Sequence, residues 1–134
     1  MIRVHHLDVA RIAAAHAGQA PPALVDAMMG FRRDGSQERA CAELFEAGFY
    51  RLAASLPTGD LERAWEMTNH DAAASGDWTA AARARPASAQ ERSSMVGDLF
   101  EDSRGRFWVV ASCGFAPMPD DFGSLREERP RPKL

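Results

Sequence analysis

The chain has 134 residues, a formal net charge of −3 and a sequence pI of about 5.8. A chain of this length can bury a hydrophobic core as one domain, and it needs no disulfide framework to fold. The charge favours neither a dedicated duplex-DNA binder, which is usually basic, nor a strongly acidic DNA mimic. The start lacks the apolar core of a signal peptide, and no apolar run reaches membrane-spanning length. We therefore expect a cytoplasmic protein that does not enter the membrane.

The residues that most often bind metals are sparse. Cys41 and Cys113 lie far apart with no CxxC motif, so we expect two buried, reduced thiols, the first on a helix and the second in a strand. His5, His6 and His16 are too loosely spaced to predict a metal site. The sequence therefore predicts no metal and no cofactor.

Residues 1–48 predict two or three short helices. Asp8 is suited to cap the first helix, and Pro22 is suited to begin the second. Met28 and Met29 continue an apolar stripe on that second helix. Such a stripe is usually part of the core, but methionines also form adaptable partner-binding surfaces, and we keep both interpretations.

Residues 49–119 predict a small α+β domain. The alternation in 49–57 indicates a strand whose apolar face carries Tyr50 and Leu56. A helix follows in 58–69, and either Thr58 or Asp60 is suited to cap it. "LFED" and "RFWVVASCGF" predict a hairpin around the turn "DSRG". The predicted fold class is α+β: a helical N-terminal segment in 1–48, a three-stranded β-α-β-β sheet with a packed helix in 49–119, and a flexible charged tail in 120–134.

The loop between the predicted helix and the hairpin is locally basic. It carries Arg83, Arg85 and Arg92, and it is either a solvated loop or an arm that contacts an anionic partner. Arg92 with Ser93 and Ser94 could also bind a phosphate or a carboxylate. The alternative is that the two serines only bond the loop backbone.

A polar cluster follows the predicted helix. His70, Asp71 and Asp77 could hold a metal, or His70 and Asp71 could act as an acid–base pair. A structural interpretation explains more residues. In it Asn69 ends the helix in the left-handed conformation and Asp71 bonds the amides that follow. Trp78 then packs onto the sheet or helix, and Asp98 fixes the turn before the next strand.

No motif indicates catalysis. The sequence contains no phosphate loop, no GxSxG, no HExxH and no dinucleotide fingerprint. We therefore predict no catalytic residues.

The motifs "TNHD…DWT" and "RSSMVGD" followed by a hairpin ending in "GF" resemble the YodL-like domains of phage, plasmid and other mobile-element proteins. The resemblance covers about residues 49–116. The chain departs from the pattern in having no apolar residue between His70 and Asp71, and in carrying Ser94-Met95 before Val96. The resemblance implies a mobile-element accessory protein, a class that includes anti-restriction and anti-CRISPR inhibitors, and it transfers no catalytic residue.

These observations lead to three expectations. The first is a non-enzymatic protein that binds and inhibits a host protein complex, with Met28, Met29 and the three loop arginines as candidate contacts. The second is a nucleic-acid-binding module that uses the loop 83–92. The third is a small enzyme that uses His70 and Asp71. If the two halves of the signature meet in the fold, Asn69, Asp71, Trp78 and Asp98 would form a structural lock around the loop.

Overall fold

The computed structural model describes residues 1–31, 34–69, 92–119 and 122. Within them the chain forms an α+β fold of five strands and four helices. In chain order the elements are β1 (Ile2–Leu7), α1 (Val9–Ala15), α2 (Pro22–Ala27), α3 (Ser36–Glu46), β2 (Tyr50–Leu56), α4 (Leu61–Met67), β3 (Leu99–Glu101), β4 (Phe107–Ala111) and β5 (Gly114–Pro117).

The strands form one antiparallel sheet in the order β2-β1-β3-β4-β5. β1 lies between β2 and β3, and it pairs Val4 with both Ala54 and Phe100. The prediction of a helical N-terminal segment is therefore wrong for residues 2–7. Two histidines interrupt the apolar alternation of this strand, and one of them, His6, is nevertheless fully buried, with its ring 3.0 Å from the Ser94 hydroxyl.

The sheet has five strands in the described part of the chain, so the predicted three-stranded sheet is also wrong. β1 adds one strand. The run "RFWVVASCGF" was predicted as one strand but forms two, β4 and β5, because the chain folds back after Ala111. Gly114 takes a φ of 92° where the return strand begins. This turn exposes Cys113, which was expected to be buried in a strand, whereas Cys41 is buried as expected.

Helices cover the sheet on both faces, and each face has its own core cluster. One cluster joins α1, α2 and α3 to strand residues such as Leu7 and Val109. The other joins α4 to residues such as Val4 and Phe100. Phe122 is also buried in the first cluster, so this residue of the predicted flexible tail packs against the domain. Phe122 is the one residue of the predicted tail 120–134 that the structure describes, and the other residues of that tail lie outside the described part of the chain.

A bulge in β2 changes which residues share a face. The pairing shifts between Val4 and His5, so that Ala53 is the extra residue opposite β1. Tyr50 consequently packs against the first cluster, while Leu56 belongs to the second. The predicted single apolar face of this strand is therefore wrong.

Local signals predicted the starts of three helices, α1, α2 and α4. The Asp8 side chain accepts a hydrogen bond from the Arg11 amide, and the Asp60 side chain accepts one from the Glu62 amide. Pro22 occupies the first helical position of α2. No helix in the described part of the chain is long and apolar enough to cross a membrane.

Candidate functional site

A buried polar network surrounds Asp98, at the junction of β1, β3 and the segment that begins at Arg92. The Asp98 carboxylate accepts hydrogen bonds from the Leu7 amide at 2.8 Å and from the Met95 amide at 2.7 Å. The Arg92 guanidinium binds the same carboxylate through two contacts of 2.8 Å. Asp98 is fully buried, so these donors replace the water that a free carboxylate would bind.

The Arg92 guanidinium has further contacts inside the molecule. It donates to the Leu7 carbonyl at 2.9 Å and to the Ser93 carbonyl at 2.8 Å. Together with Asp98, these acceptors occupy the two terminal nitrogens of the side chain. That Arg92 contacts a partner stays a prediction. Within the molecule, its guanidinium already donates hydrogen bonds to Asp98, Leu7 and Ser93.

The two halves of the sequence signature meet at Thr68 and Ser94. The Ser94 amide donates to the Thr68 carbonyl at 2.9 Å, and the two hydroxyl oxygens lie 2.7 Å apart. The Ser94 hydroxyl also lies 3.0 Å from His6 Nε2. Both hydroxyls are buried, so the end of α4 is joined to β1 through Ser94.

His6, Ser94 and Asp98 are the residue types of a hydrolytic triad, but their geometry differs from one. A triad histidine uses one ring nitrogen for the serine and the other for the carboxylate. Here His6 Nε2 faces both Ser94 Oγ at 3.0 Å and Asp98 Oδ2 at 3.7 Å. All three side chains are buried, and the Ser94 hydroxyl also contacts the Thr68 hydroxyl. The arrangement is suited to joining elements.

A second buried polar group lies on the opposite face of the sheet. The Tyr50 hydroxyl donates to the Gly97 carbonyl at 2.6 Å, and the Cys41 sulfur lies 3.7 Å from the same oxygen. Burial raises the pKa of the Cys41 thiol from 9.0 to about 12. Burial likewise raises the pKa of Tyr50 well above its ordinary value. Cys41 is therefore a protonated thiol at neutral pH and a poor nucleophile.

Several predicted site residues lie outside the described residues, so the structure does not test them. They are His70, Asp71, Asp77, Trp78, Arg83 and Arg85. Asn69 is described, and its predicted left-handed conformation is wrong: Ala17 is the one non-glycine residue with positive φ in the described chain. Helix α4 instead ends at Thr68, whose hydroxyl bonds the Ala64 carbonyl at 2.9 Å.

An exposed apolar surface lies at the end of α2. Val25 is 40% exposed, Met28 44% and Phe31 68%, and we call these three residues the α2 apolar surface. Met29, also predicted as a partner contact, is half-buried. The segment is held to the sheet at Gly30, whose carbonyl accepts a hydrogen bond from the Ser112 amide at 3.2 Å.

A cavity of about 340 Å³ lies between α4 and the β4–β5 hairpin, and we call it the α4 cavity. Its apolar lining includes Trp65, Val110 and Phe115, and two carboxylates of α4, Glu62 and Glu66, also line it. Sequence reasoning missed this site. The spacing of Glu62, Trp65 and Glu66 does place them on one helix face, but the facing hairpin residues come from a distant part of the chain.

The described residues do not suggest a metal centre. No group of three or more His, Cys, Asp or Glu side chains among them could hold an ion. The three N-terminal histidines have other neighbours: His5 lies 3.0 Å from Glu101, and His16 Nδ1 lies 2.8 Å from the Ile12 carbonyl.

Comparisons of the chain with protein-family models, with curated proteins and with solved structures find no match.

Proposed function

We propose that this protein acts by binding another protein, and that the α2 apolar surface is its docking face. The observation that carries the proposal is the exposure of Val25, Met28 and Phe31 within one short segment. Scattered exposed apolar residues are normal on protein surfaces, but clustered ones are typical of interaction sites. Phenylalanine and methionine are also enriched at the centre of interfaces.

The contacts of the described polar residues favour protein binding over nucleic-acid binding and over catalysis. The described arginine of the basic loop, Arg92, is engaged with Asp98 and Leu7. His6, Ser94 and Asp98 are buried and bonded within the molecule. The nucleic-acid hypothesis depends on Arg83 and Arg85, and the enzyme hypothesis depends on His70 and Asp71, and these four residues lie outside the described part of the chain.

The specific form of the proposal is a mobile-element accessory protein that inhibits a bacterial immune complex, such as a CRISPR or restriction system. The support for this form is the resemblance of the motifs around Thr68 and Ser94 to YodL-like domains. The contact between those two residues joins the motifs in space.

Affinity capture from bacterial lysates that contain a defence complex tests the docking face. We expect the unchanged protein to retain a partner, and Met28→Ser combined with Phe31→Ser to lose it. Removing a central interface residue costs about 2 kcal/mol or more, which is roughly thirtyfold in affinity.

Leu52→Ser is a matched control, because Leu52 is 43% exposed but lies in the edge strand β2. It should leave capture unchanged. Equal capture by the Met28/Phe31 variant and the unchanged protein would overturn the docking face. Capture of no partner, together with no protection of phage in hosts that carry these systems, would overturn the function.

A further inference from the structure

We infer that the α4 cavity receives an arginine side chain from the partner protein. The inference rests on the proposed function, because it names the chemistry of one partner contact. Helix α4 has two different faces. Ala64 and Met67 are buried in the core of the domain, whereas Glu62, Trp65 and Glu66 line the cavity.

The inner part of the cavity suits the flat, weakly hydrated guanidinium group. Trp65 and Phe115 are half-buried aromatic residues on opposite elements, and Val110 is a buried aliphatic residue of β4. Aromatic faces attract cations, and tryptophan does so most strongly. Apolar walls also accommodate the methylene stem of a long basic side chain.

The two carboxylates supply the complementary charge. Glu62 and Glu66 are one helical turn apart and exposed, so both can approach a cation that enters the cavity. Glu66 also contacts Arg63 at 3.2 Å, with both side chains more than half exposed. An exposed pair of this kind contributes little free energy, so Glu66 can exchange to an incoming cation. Arginine suits the site better than lysine, because its planar fork pairs with carboxylates and stacks on aromatic rings.

Gly30, in the segment that follows α2, packs against two residues that line the cavity. Gly30 lies between Met28 and Phe31, and a β-carbon built on it would lie 2.6 Å from the Ser112 amide nitrogen and 2.8 Å from a Val96 methyl group. Ser112 and Val96 both line the cavity.

Nuclear magnetic resonance titration of the isolated full chain tests the inference without the partner. The probe is the blocked peptide acetyl-Gly-Arg-Gly-amide, and its counterpart carries citrulline, which has the same shape but no charge. We expect saturable shifts of the Trp65 indole N–H and the Phe115 amide with the arginine peptide alone. Combining Glu62→Gln with Glu66→Gln should weaken binding severalfold, since each exposed charge pair contributes about 0.2–1 kcal/mol.

Glu43→Gln is the control, because Glu43 is an exposed carboxylate on α3, away from this cavity. It should leave the titration unchanged. Equal binding of the citrulline peptide, or shifts absent at Trp65, would overturn the inference. Equal binding of the corresponding lysine peptide would overturn the assignment to a guanidinium.

The two proposals fail separately. If the Met28/Phe31 variant loses the partner but the arginine peptide does not bind, the docking face stands and the cavity assignment falls. If the peptide binds but no partner is captured, the proposed function falls while the cavity keeps its specificity.

Discussion

At the residue scale, Asp98 shows how one side chain joins segments that are far apart in the sequence. Its carboxylate accepts from the Leu7 amide, 91 positions earlier, and from Arg92 and Met95 beside it. The sequence placed Asp98 at a turn, and that much follows from the Gly97-Asp98 pair. The contact with Leu7 could not be predicted, because no local pattern indicates which strand will lie next to a turn.

We expect Asp98→Ala to lower the free energy of unfolding by about 3–5 kcal/mol, because it leaves Arg92 and two amides without their buried acceptor. Urea unfolding followed by circular dichroism measures the loss.

Asp102→Ala is the matched control. Asp102 also accepts three hydrogen bonds, from the Arg104 and Arg106 amides and the Trp108 indole, but it lies in the partly exposed β3–β4 turn. Water can replace these bonds, so its loss should be about 1 kcal/mol. Losses of equal size in the two variants would show that Asp98 is not the buried anchor.

At the element scale, β1 decides the architecture. It is the only element that pairs with both β2 and β3 among the described residues, so β2 joins the rest of the sheet through it. The helices α1 to α3 follow it and pack onto the same sheet. The predicted division into 1–48 and 49–119 therefore runs through a shared core.

The fragment 49–119 should consequently not fold alone. Without β1, the facing residues Ala54 and Phe100 lose the Val4 contact that links them. We expect a fragment with little amide shift dispersion and no cooperative thermal transition, since an isolated small sheet without its covering elements is marginal. Adding the fragment 1–48 should restore both properties. Cooperative unfolding of 49–119 by itself would contradict this role for β1.

At the scale of the whole molecule, the free energy of unfolding depends on pH because Cys41 and Tyr50 pack in the core in their neutral, protonated forms. The pKa of Cys41 is about 12 in the folded protein, against 9.0 for an ordinary thiol, and the pKa of Tyr50 is also raised. Both groups hold their protons more tightly when folded. The stability that Cys41 contributes is complete below pH 9.0 and is lost as the pH rises from 9.0 towards 12. The contribution of Tyr50 begins to be lost only above its ordinary pKa of 10.0.

We therefore expect the free energy of unfolding to fall as the pH is raised above 9, measured by urea unfolding at a series of pH values. Cys41→Ala should reduce the slope between pH 9.0 and about 12, because Tyr50 alone then remains. Cys113→Ala is the control, since this thiol is exposed, and it should keep the slope of the unchanged protein. A stability that does not change over this range would contradict the burial of the thiol.

The sequence by itself determined the features that depend on neighbouring residues. The caps at Asp8 and Asp60, the start of α2 at Pro22 and the turn of the β3–β4 hairpin follow from side chains within a few positions of each other. Tertiary structure decided what depends on distant partners: the pairing of β1 between β2 and β3, the bulge that turns Tyr50 and Leu56 to opposite faces, and the contacts of Asp98 and Arg92 with Leu7. The physical reason is that local free energies select helix ends and turns, whereas strand neighbours and buried polar contacts are selected by the burial of the whole core.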